Sequence, residues 1–453
     1  MQEETIVALA TPQGTSAIAL IRLSGHDVVA IVNQVFRGKD LSQVDSHTIH
    51  FGTIRDGSEI IDEVMVSVFI APKSFTKENS VEISCHGSQY VVQRIIKVLL
   101  KNGARLAKAG EFTKRAFLNG QFDLAQAEAI ADLIHSDSES SHQAAMNQMR
   151  GGFSKKIASL REELIHFASM IELELDFGEE DVEFASRDDL KGLINRLMEV
   201  LTLLIKSFDV GNVIKNGVPT VIAGKPNAGK STLLNALLNE EKAIVSDIAG
   251  TTRDVIEDEM NLGGITFRFI DTAGLRDTTD TIEAIGVERT RKKMKEASLI
   301  LYLFDLGSES ITDIGQEINR LENQGIPFIA VGNKVDQADR EKIEVLEKRE
   351  DTVLISASSE INLDQLKDKI LKIVNLASFK TGDTVVTNIR HYEALLNSKN
   401  SLQDVINGID NGVTGDFLAM DIRQSLHHLG EITGEITTDD LLANIFSKFC
   451  IGK

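Results

Sequence analysis

The feature that most limits how this chain can fold is a glycine-rich loop between a β-rich run and an apolar helical run. The run TVIAG leads into GKPNAGKS (224–231), and TLLNALL follows. Glycines let backbone N–H groups turn towards a phosphate chain without interference from a Cβ atom. The positive end of the following helix dipole favours the same anion. The pattern therefore predicts a phosphate-binding loop between a strand and a helix of an α/β domain.

Two side chains of this loop have predicted roles in chemistry. Lys230 is expected to neutralise the β and γ phosphates of a nucleotide, and Ser231 to hold Mg²⁺ through its hydroxyl. The residues of this segment predicted to bind the nucleotide are Asn227, Ala228, Gly229, Lys230, Ser231 and Thr232.

The base is predicted to be guanine. NKVD (333–336) follows the β-rich run PFIAVG, and SAS (356–358) follows the run TVLIS. The Asp336 carboxylate can accept hydrogen bonds from N1 and N2 of guanine, which adenine does not offer, so discrimination is large. The Ala357 N–H can donate to the guanine O6. The predicted base-binding residues are Asn333, Lys334, Asp336, Ser356, Ala357 and Ser358.

Two further segments have the character of switches that the γ-phosphate orders and that hydrolysis releases. In DTAG (271–274), Asp271 is expected to reach Mg²⁺ through water and the Gly274 N–H to contact the γ-phosphate. In GTTRD (250–254), Thr252 supplies a second Mg²⁺ ligand. The remaining nucleotide-binding residues predicted in and beside these segments are Ser246, Asp247, Ile248, Ala249, Gly250, Thr251, Thr272 and Ala273.

The residue after DTAG is Leu275, whose aliphatic side chain cannot orient a water molecule as the glutamine of many small GTPases does. Glu283 is the candidate for this task, and the alternative is a solvated helix acid. Arg253 and Arg276 could each serve as an arginine finger or form a surface ion pair. A monovalent cation held by Asn227 and nearby carbonyls could also supply the positive charge.

The chain has 453 residues and a formal net charge of −20, which argues against broad nonspecific binding to nucleic acid. An RNA partner would need a local basic patch, or a second protein would have to supply the positive surface. Cys85 and Cys450 are the only cysteines, so neither a disulfide framework nor a four-thiolate zinc site is expected. No apolar run approaches membrane-spanning length, and the start MQEETIVALA lacks a signal-peptide pattern. We therefore expect a cytoplasmic protein with neither membrane nor DNA as a partner.

Proline placement divides the chain. Residues 120–216 and 377–453 contain no proline and have helical periodicity. In the first stretch, one apolar stripe at helical spacing is formed by Leu190, Leu193, Ile194, Leu197, Val200, Leu201 and Leu204. Between them, β-rich runs alternate with helical segments, which predicts a parallel sheet covered by helices on both faces. Residues 1–119 combine the β-rich runs TIVALAT, AIALIRLSG and SVEISCHG with an amphipathic helix, YVVQRIIKVLLKNG. The predicted fold is multidomain: an α+β domain (1–119), an all-α domain in two parts (120–216 and 377–453), and an inserted α/β P-loop domain (217–376). Three consecutive domains are the alternative.

The P-loop, DIAGTTRD, DTAGLR, NKVD and SAS together resemble the GTPase group that includes Era, EngA and the MnmE (TrmE) family of tRNA modification GTPases. Two segments narrow the resemblance to the MnmE family: GEFTKRAFLNGQFDLAQAEAIADLI (110–134) and the terminal FCIGK (449–453). The resemblance covers essentially the whole chain.

The resemblance implies site residues. It places Mg²⁺ on Ser231 and Thr252 and the water-orienting glutamate on Glu283. It places K⁺ on Asn227, Ser246, Ile248 and Thr251. It implies a dimerising N-terminal domain that binds 5-formyl- or 5,10-methylene-tetrahydrofolate. The matching folate positions are Arg22, Glu82, Gln121 and Lys453, and Gln121 stands where relatives often have lysine.

The resemblance also implies a reaction. Together with the flavoprotein MnmG, in a heterotetramer, such GTPases add an aminomethyl-type group, such as carboxymethylaminomethyl, to C5 of the wobble uridine (position 34) of certain tRNAs. FAD belongs only to the partner, and no dinucleotide-binding fingerprint occurs in this chain. Two other classes stay open: a ribosome-assembly GTPase switch of the Era or EngA kind, and a one-carbon transfer enzyme with a regulatory GTPase domain.

The two cysteines are interpreted separately. Cys450 could be a nucleophile that the C-terminal tail delivers to the folate site. The favoured interpretation is a small apolar side chain tucked beside Phe449, because free cysteine is commonly buried. For Cys85 and His86, packing at a strand end is expected rather than a metal site.

Overall fold

The computed structural model describes residues 4–176, 186–239, 258–270, 297–374 and 384–452. The chain forms two compact units, one of residues 1–134, 148–199 and 393–453, the other of residues 135–147 and 200–392. The domain boundaries expected from proline placement stay predictions.

The first unit contains a sheet with the strand order β3-β4-β5-β6-β2-β1-β7. The strands are β1 (Ile6–Leu9), β2 (Ser16–Ser24), β3 (Phe36–Arg37), β4 (Thr48–Asp56), β5 (Glu59–Phe69), β6 (Ser80–Gly87) and β7 (Arg105–Leu106). Helices α1 (Val28–Val35) and α2 (Gln89–Lys101) share its core, in which Val66, Ile83 and Ile95 are fully buried. The α+β prediction for this region is confirmed, since β1, β2, β6 and α2 coincide with the runs chosen from the sequence.

Helices follow the sheet. They are α3 (Glu111–Leu118), α4 (Leu124–Ile134), α5 (Glu139–Met149), α6 (Gly152–Asp176) and α7 (Arg187–Asn216). The apolar stripe predicted for α7 is buried at Leu190, Leu193, Ile194, Leu197, Leu201 and Leu204. Val200, the remaining member, is half-buried. The helical prediction is therefore confirmed over the described part of this stretch.

The second unit holds the α/β fold. Its strands are β8 (Val218–Gly224), β9 (Asp258–Leu262), β10 (Ile265–Phe269), β11 (Leu299–Asp305), β12 (Phe328–Asn333) and β13 (Thr352–Leu354). Its helices include α8 (Lys230–Asn239), α9 (Ile311–Glu322), α10 (Arg340–Leu346) and α11 (Leu363–Val374). The strand order is β13-β12-β11-β8-β10-β9.

Both faces of this sheet are buried, as predicted. Leu299, Leu301 and Leu303 of β11 pack with residues of α8 and α11. The alternate residues of β11 pack with residues of α9 and α10 on the other face. A strand buried on both faces needs apolar side chains at every position, which explains the continuous run LILYLF.

The sheet is mixed rather than parallel, so that part of the prediction is wrong. Strand β9 pairs antiparallel with β10 at the edge of the sheet. Gly263 and Gly264 join the two strands with φ of +59° and +79°. Positive φ at both central residues suits a tight two-residue hairpin turn, and a Gly-Gly pair is a recognised signal for it. The prediction missed β9 because DEMNL has little β propensity.

The loop between α4 and α5 belongs to the second unit and contacts this hairpin. The Thr266 hydroxyl donates to Asp137 Oδ1 at 3.1 Å. The Ser140 N–H donates to the Gly264 carbonyl at 3.2 Å. A segment that the sequence placed in the helical domain is thus tied to the α/β sheet.

The C-terminal helices are α12 (Ile389–Asp410), α13 (Gly415–Thr433) and α14 (Asp439–Ser447). The Arg161 guanidinium of α6 donates to the Leu426 carbonyl of α13 at 2.5 Å and pairs with Glu435 at 2.6 Å. Apolar side chains of α4 and α14 share a small core that includes Leu124, Leu442 and Phe446. Within the described ranges, no helix combines the length and apolarity needed to span a bilayer.

Candidate nucleotide-binding site

The predicted nucleotide-binding motifs converge at the carboxyl ends of three parallel strands of one sheet, β8, β12 and β13. The P-loop follows β8, NKVD begins at the last residue of β12, and SAS follows β13. In open α/β sheets, ligands bind in the crevice outside this edge. The topology therefore brings together segments that are more than 100 residues apart in sequence.

The P-loop passes close to the start of NKVD, and this close approach explains why position 229 of the P-loop is a glycine. Gly229 has a φ of +96°, and a Cβ atom there would lie 2.3 Å from Asn333 Nδ2. Any larger residue would therefore push the loop away from NKVD. Asn227 also has a positive φ, +63°, a conformation that asparagine tolerates better than most residues.

Lys230 lies at the first position of α8. Its Nζ donates to the carbonyls of Gly224 and Lys225, both at 2.9 Å. Burial lowers the pKa of Lys230 below its ordinary value. These acceptors are neutral carbonyls, and charged phosphate oxygens are stronger acceptors for the same ammonium group.

Asn333 joins three motifs. Its side chain is buried; Nδ2 donates to the Ala228 carbonyl at 2.8 Å, and Oδ1 accepts from the Ala357 N–H at 3.0 Å. Asn333 thus fixes the P-loop, NKVD and SAS relative to one another. Because this contact engages the Ala357 N–H, its donation to the guanine O6 stays a prediction.

Asp336, the last residue of NKVD, is exposed. A hydrogen bond from the Ser356 side chain is the main cause that lowers the pKa of Asp336. The carboxylate is therefore ionised at neutral pH and can act as an acceptor. An ionised acceptor pair is what the N1 and N2 donors of guanine require.

Two of the predicted metal ligands, Ser231 and Asn227, lie within the described residues. Ser231, in the first turn of α8, offers a hydroxyl oxygen, a ligand type that suits Mg²⁺. The exposed Asn227 offers an amide oxygen for K⁺. Within the described residues, no group of three or more His, Cys, Asp or Glu side chains could hold a metal ion.

The predicted residues of the two switch segments, together with Glu283, lie outside the described residues. This set comprises Ser246, Asp247, Ile248, Ala249, Gly250, Thr251, Thr252, Asp271, Thr272, Ala273, Gly274 and Glu283. Leu275, Arg253 and Arg276 also lie outside the described residues. Thr232 and Ser358 lie within the described ranges, and both are exposed.

Two acids beside the site were missed by the sequence reasoning. Asp305, the last residue of β11, pairs with Lys334 at 2.6 Å. Glu309 pairs with Lys225 of the P-loop at 3.0 Å. Partial burial raises the pKa of Asp305, but hydrogen bonds from Lys334 and the Gly307 N–H outweigh it, so the net shift is downward. The position of Asp305, at the carboxyl end of a parallel strand, was the available signal.

The predicted folate residues Arg22 and Glu82 are direct partners across β2 and β6, and their side chains form an ion pair at 2.8 Å. The Arg22 guanidinium lies 5.6 Å from the centre of the Phe75 ring and within 3.5 Å of the Gly452 carbonyl. The structure therefore brings the ion pair and the C-terminal tail together. Gln121 is exposed, and Lys453 lies outside the described residues.

The favoured interpretation of Cys450 is wrong. Cys450 is exposed, whereas Phe449 is buried against Phe446. The tail turns so that the larger apolar ring, which gains more from burial, takes the core position.

Cys85 is buried as expected, and burial raises the pKa of its thiol to about 11. His86 points outward and contacts Asp62 at 2.7 Å, so strand-end packing holds for Cys85 alone.

Comparison with known proteins assigns the family. The model described as "GTP-binding protein TrmE N-terminus" matches residues 5–121, and the MnmE helical domain model matches residues 124–450. A protein of Cytophaga hutchinsonii named tRNA modification GTPase MnmE is 61% identical over 99% of this chain and 98% of its own length. The chain belongs to the MnmE family of tRNA modification GTPases. It is a GTP hydrolase.

Other relatives in this family are similar over their full length. The protein of the same name from Flavobacterium psychrophilum is 52% identical over 99% of each chain.

Among solved structures, Era of Aquifex aeolicus bound to GDP·AlF4⁻ is 28% identical and covers 41% of this chain and 66% of its own, with a TM-score of 0.27. The G domain of the T. maritima FeoB iron transporter is 24% identical and covers 35% of this chain and 99% of its own, with a TM-score of 0.25.

Proposed function

We propose that this MnmE family member uses GTP hydrolysis to drive modification of the wobble uridine of certain tRNAs. With the flavoprotein MnmG as partner, it adds an aminomethyl-type group, such as carboxymethylaminomethyl, to C5 of uridine 34. A tetrahydrofolate, either 5-formyl or 5,10-methylene, supplies the one-carbon unit. The observation that carries the proposal is the side chain of Asn333, which holds the phosphate-binding and base-binding loops together at one edge of the sheet.

The residues of the chain divide the work of hydrolysis. Asp336 and the SAS segment select guanine, and Lys230 attracts the phosphates. Ser231 and Thr252 would hold Mg²⁺, which would supply positive charge against the β and γ phosphates. Glu283 orients the attacking water, the task that Leu275 cannot perform.

Potassium is proposed to complete the charge stabilisation at Asn227, Ser246, Ile248 and Thr251. We expect GTP turnover in KCl to exceed that in NaCl at equal ionic strength by on the order of 10- to 100-fold, because one lost electrostatic partner of the transition state costs this much or more. Steady-state release of phosphate measures the ratio.

A matched pair of variants tests the assignment to this site. Asn227→Ala is expected to bring turnover in KCl down to the level in NaCl. Asn323→Ala removes an exposed asparagine whose side chain donates only to its own helix, and it should respond to potassium like the wild type. Equal wild-type turnover in the two salts would contradict the proposal.

The outer face of the N-terminal sheet supports the proposed homodimer. Phe51 and Ile49 of β4 are 64% and 61% exposed, and Met65, the direct partner of Phe51, is 43% exposed. An exposed apolar cluster on a sheet face is typical of an interaction surface. A second copy of the chain is the proposed occupant.

The folate residues share this face. Arg22 pairs with Glu82, Glu82 with Ser67, and Ser67 with Ile49 across successive strands. Directly opposed residues in a sheet project on the same side. The proposed folate site therefore adjoins the proposed dimer surface. Arg22 would attract the carboxylates of the folate tail, and Phe75 would offer an aromatic face to its rings.

The net charge of −20 supports a two-protein arrangement for tRNA. Phosphate contacts need lysine and arginine, so much of the basic surface is assigned to the flavoprotein partner.

Analysis of the wobble uridine tests the whole proposal. In cells that lack this chain, nucleosides from tRNA are expected to lose the C5 aminomethyl-type group, and plasmid-borne wild type should restore it.

Cys450→Ser in the same assay decides whether the exposed thiol acts as a nucleophile, since full modification would exclude that role. Unaltered uridine 34 together with defective ribosome assembly would favour the Era-like alternative.

A further inference from the structure

Two acids flank the short loop that follows β11, and each pairs with a lysine of a different nucleotide-binding loop. We call this arrangement the carboxylate brace and define it as Asp305 and Glu309. Lys334, the partner of Asp305, is the second residue of NKVD. Lys225, the partner of Glu309, is the second residue of the P-loop. The brace therefore touches both sides of the predicted nucleotide site.

Asp305 uses both carboxylate oxygens. Oδ2 accepts from Lys334 Nζ at 2.6 Å, and Oδ1 accepts from the Gly307 N–H at 2.8 Å. Lys334 Nζ also lies 3.3 Å from the Asn227 carbonyl of the P-loop. Asp305 thus holds the ammonium group at a point where it bridges NKVD and the P-loop.

The backbone of Lys334 needs such support. Its φ is +64°, in the left-handed region that non-glycine residues adopt at a cost. A charge-assisted hydrogen bond to a carboxylate is about twice as strong as a neutral one and offsets part of that cost. The ion pair therefore favours the strained conformation of the base-binding loop.

Glu309 lies at the other end of the loop that begins after Asp305 and bonds back to Asp305. Only 7% of its side chain is exposed; Oε1 accepts from the Asp305 N–H at 3.1 Å, and Oε2 pairs with Lys225 Nζ at 3.0 Å. The Glu309 N–H returns a hydrogen bond to the Asp305 carbonyl at 3.0 Å. The two acids are consequently fixed to each other.

A third lysine anchors this loop to the domain. Lys342 Nζ of α10 donates to the carbonyls of Leu306 and Glu309, both at 3.0 Å. The brace is therefore attached to the rigid sheet and to a helix, which suits a positioning element better than an isolated surface ion pair does.

We propose that Asp305 and Glu309 are positioning residues for GTP, which hold the base-binding loop through Lys334 and the phosphate-binding loop through Lys225. Neither acid needs to touch the nucleotide, because each acts through its lysine. A site held in its binding geometry before the ligand arrives loses less conformational entropy on binding. This inference rests on the nucleotide site of the proposed function.

The proposal predicts a specific pattern of kinetic change. The two lysines support the loops and do not read the exocyclic amino group of guanine, which Asp336 reads. Weakening the brace should thus lower the affinity for guanine and hypoxanthine nucleotides by the same factor. The KM for GTP should rise while kcat stays near the wild-type value, which is the signature of lost uniform binding.

The test uses the full-length chain and fluorescent N-methylanthraniloyl-GDP. Asp305→Asn and Glu309→Gln are each expected to raise Kd about tenfold, mainly through faster dissociation. Asp305→Glu should recover part of the affinity. The control, Glu322→Gln, removes an acid of α9 that pairs with Arg349 away from the site, and it should bind like the wild type.

A double-mutant cycle ties the effect to the lysine. Once Lys334→Met has removed the partner of Asp305, adding Asp305→Asn should cost little more affinity. Full additivity would overturn the proposal, and so would a wild-type Kd in both single variants. A purely structural role would lower kcat and the folded fraction while leaving KM unchanged, and that outcome would also overturn it. If the wild type itself fails to bind the probe, the proposed nucleotide site is at fault rather than the brace.

Discussion

Asp336→Asn is expected to convert the chain from a guanine-binding to a xanthine-binding protein. Guanine presents two donors, N1–H and the N2 amino group, to the two acceptor oxygens of Asp336. Asparagine offers one acceptor and one donor, which matches the N1–H and the O2 carbonyl of xanthine. With guanine, the amide NH₂ would face the N2 amino group, and one donor would stay unpaired.

The expected loss of GTP affinity is large, on the order of 10³- to 10⁴-fold, because sites built around specific hydrogen bonds strongly reject ligands that leave buried polar groups unpaired. The affinity for xanthosine triphosphate should rise in parallel. Isothermal titration with GTP, XTP and ATP measures the change. Asp339→Asn is the matched control, since Asp339 precedes α10 and its side chain makes no capping hydrogen bond. If Asp336→Asn retained its preference for GTP over XTP, Asp336 would not be the base-reading residue.

Lys230→Met is expected to abolish GTP hydrolysis, with kcat/KM reduced by at least about 10³-fold, because the ammonium stabilises charge that develops on the phosphates. Methionine keeps an unbranched side chain of similar length but removes the charge. Lys369→Met provides a control, since Lys369 Nζ donates to the Thr352 carbonyl in a comparable lysine–carbonyl contact on α11. Release of phosphate under single-turnover conditions gives the rates, and near-normal turnover by Lys230→Met would remove Lys230 from the mechanism.

The pH dependence follows from the same residue. Burial lowers the pKa of Lys230, so in the nucleotide-free protein the ammonium loses its proton at a lower pH than an exposed lysine does. Only the charged form attracts phosphate. The affinity for GDP should therefore hold at neutral pH and decline as the pH rises through the lowered pKa. Lys230→Met, already weak, should show a smaller decline than the wild type over the same rise in pH.

The sequence by itself determined the elements whose signals are local. A strand, a glycine-rich loop and a helix in direct succession predicted the P-loop, and Lys230 lies at the start of α8 as expected. The β-rich run SLILYLFD (298–305) coincides with β11, and the stripe on α7 predicted its buried side. Each of these patterns repeats within one element, so residue spacing alone reveals it.

The tertiary structure decided which distant segments meet. Asp305 and Glu309 look like ordinary loop acids in the sequence, and only the order of β8, β11 and β12 places them beside Lys334 and Lys225. The contact of Asp137 with the β9–β10 hairpin and the exposure of Cys450 also depend on packing between remote parts of the chain. Such contacts have no fixed spacing in sequence, because they form only when strand order and burial bring the backbone segments together.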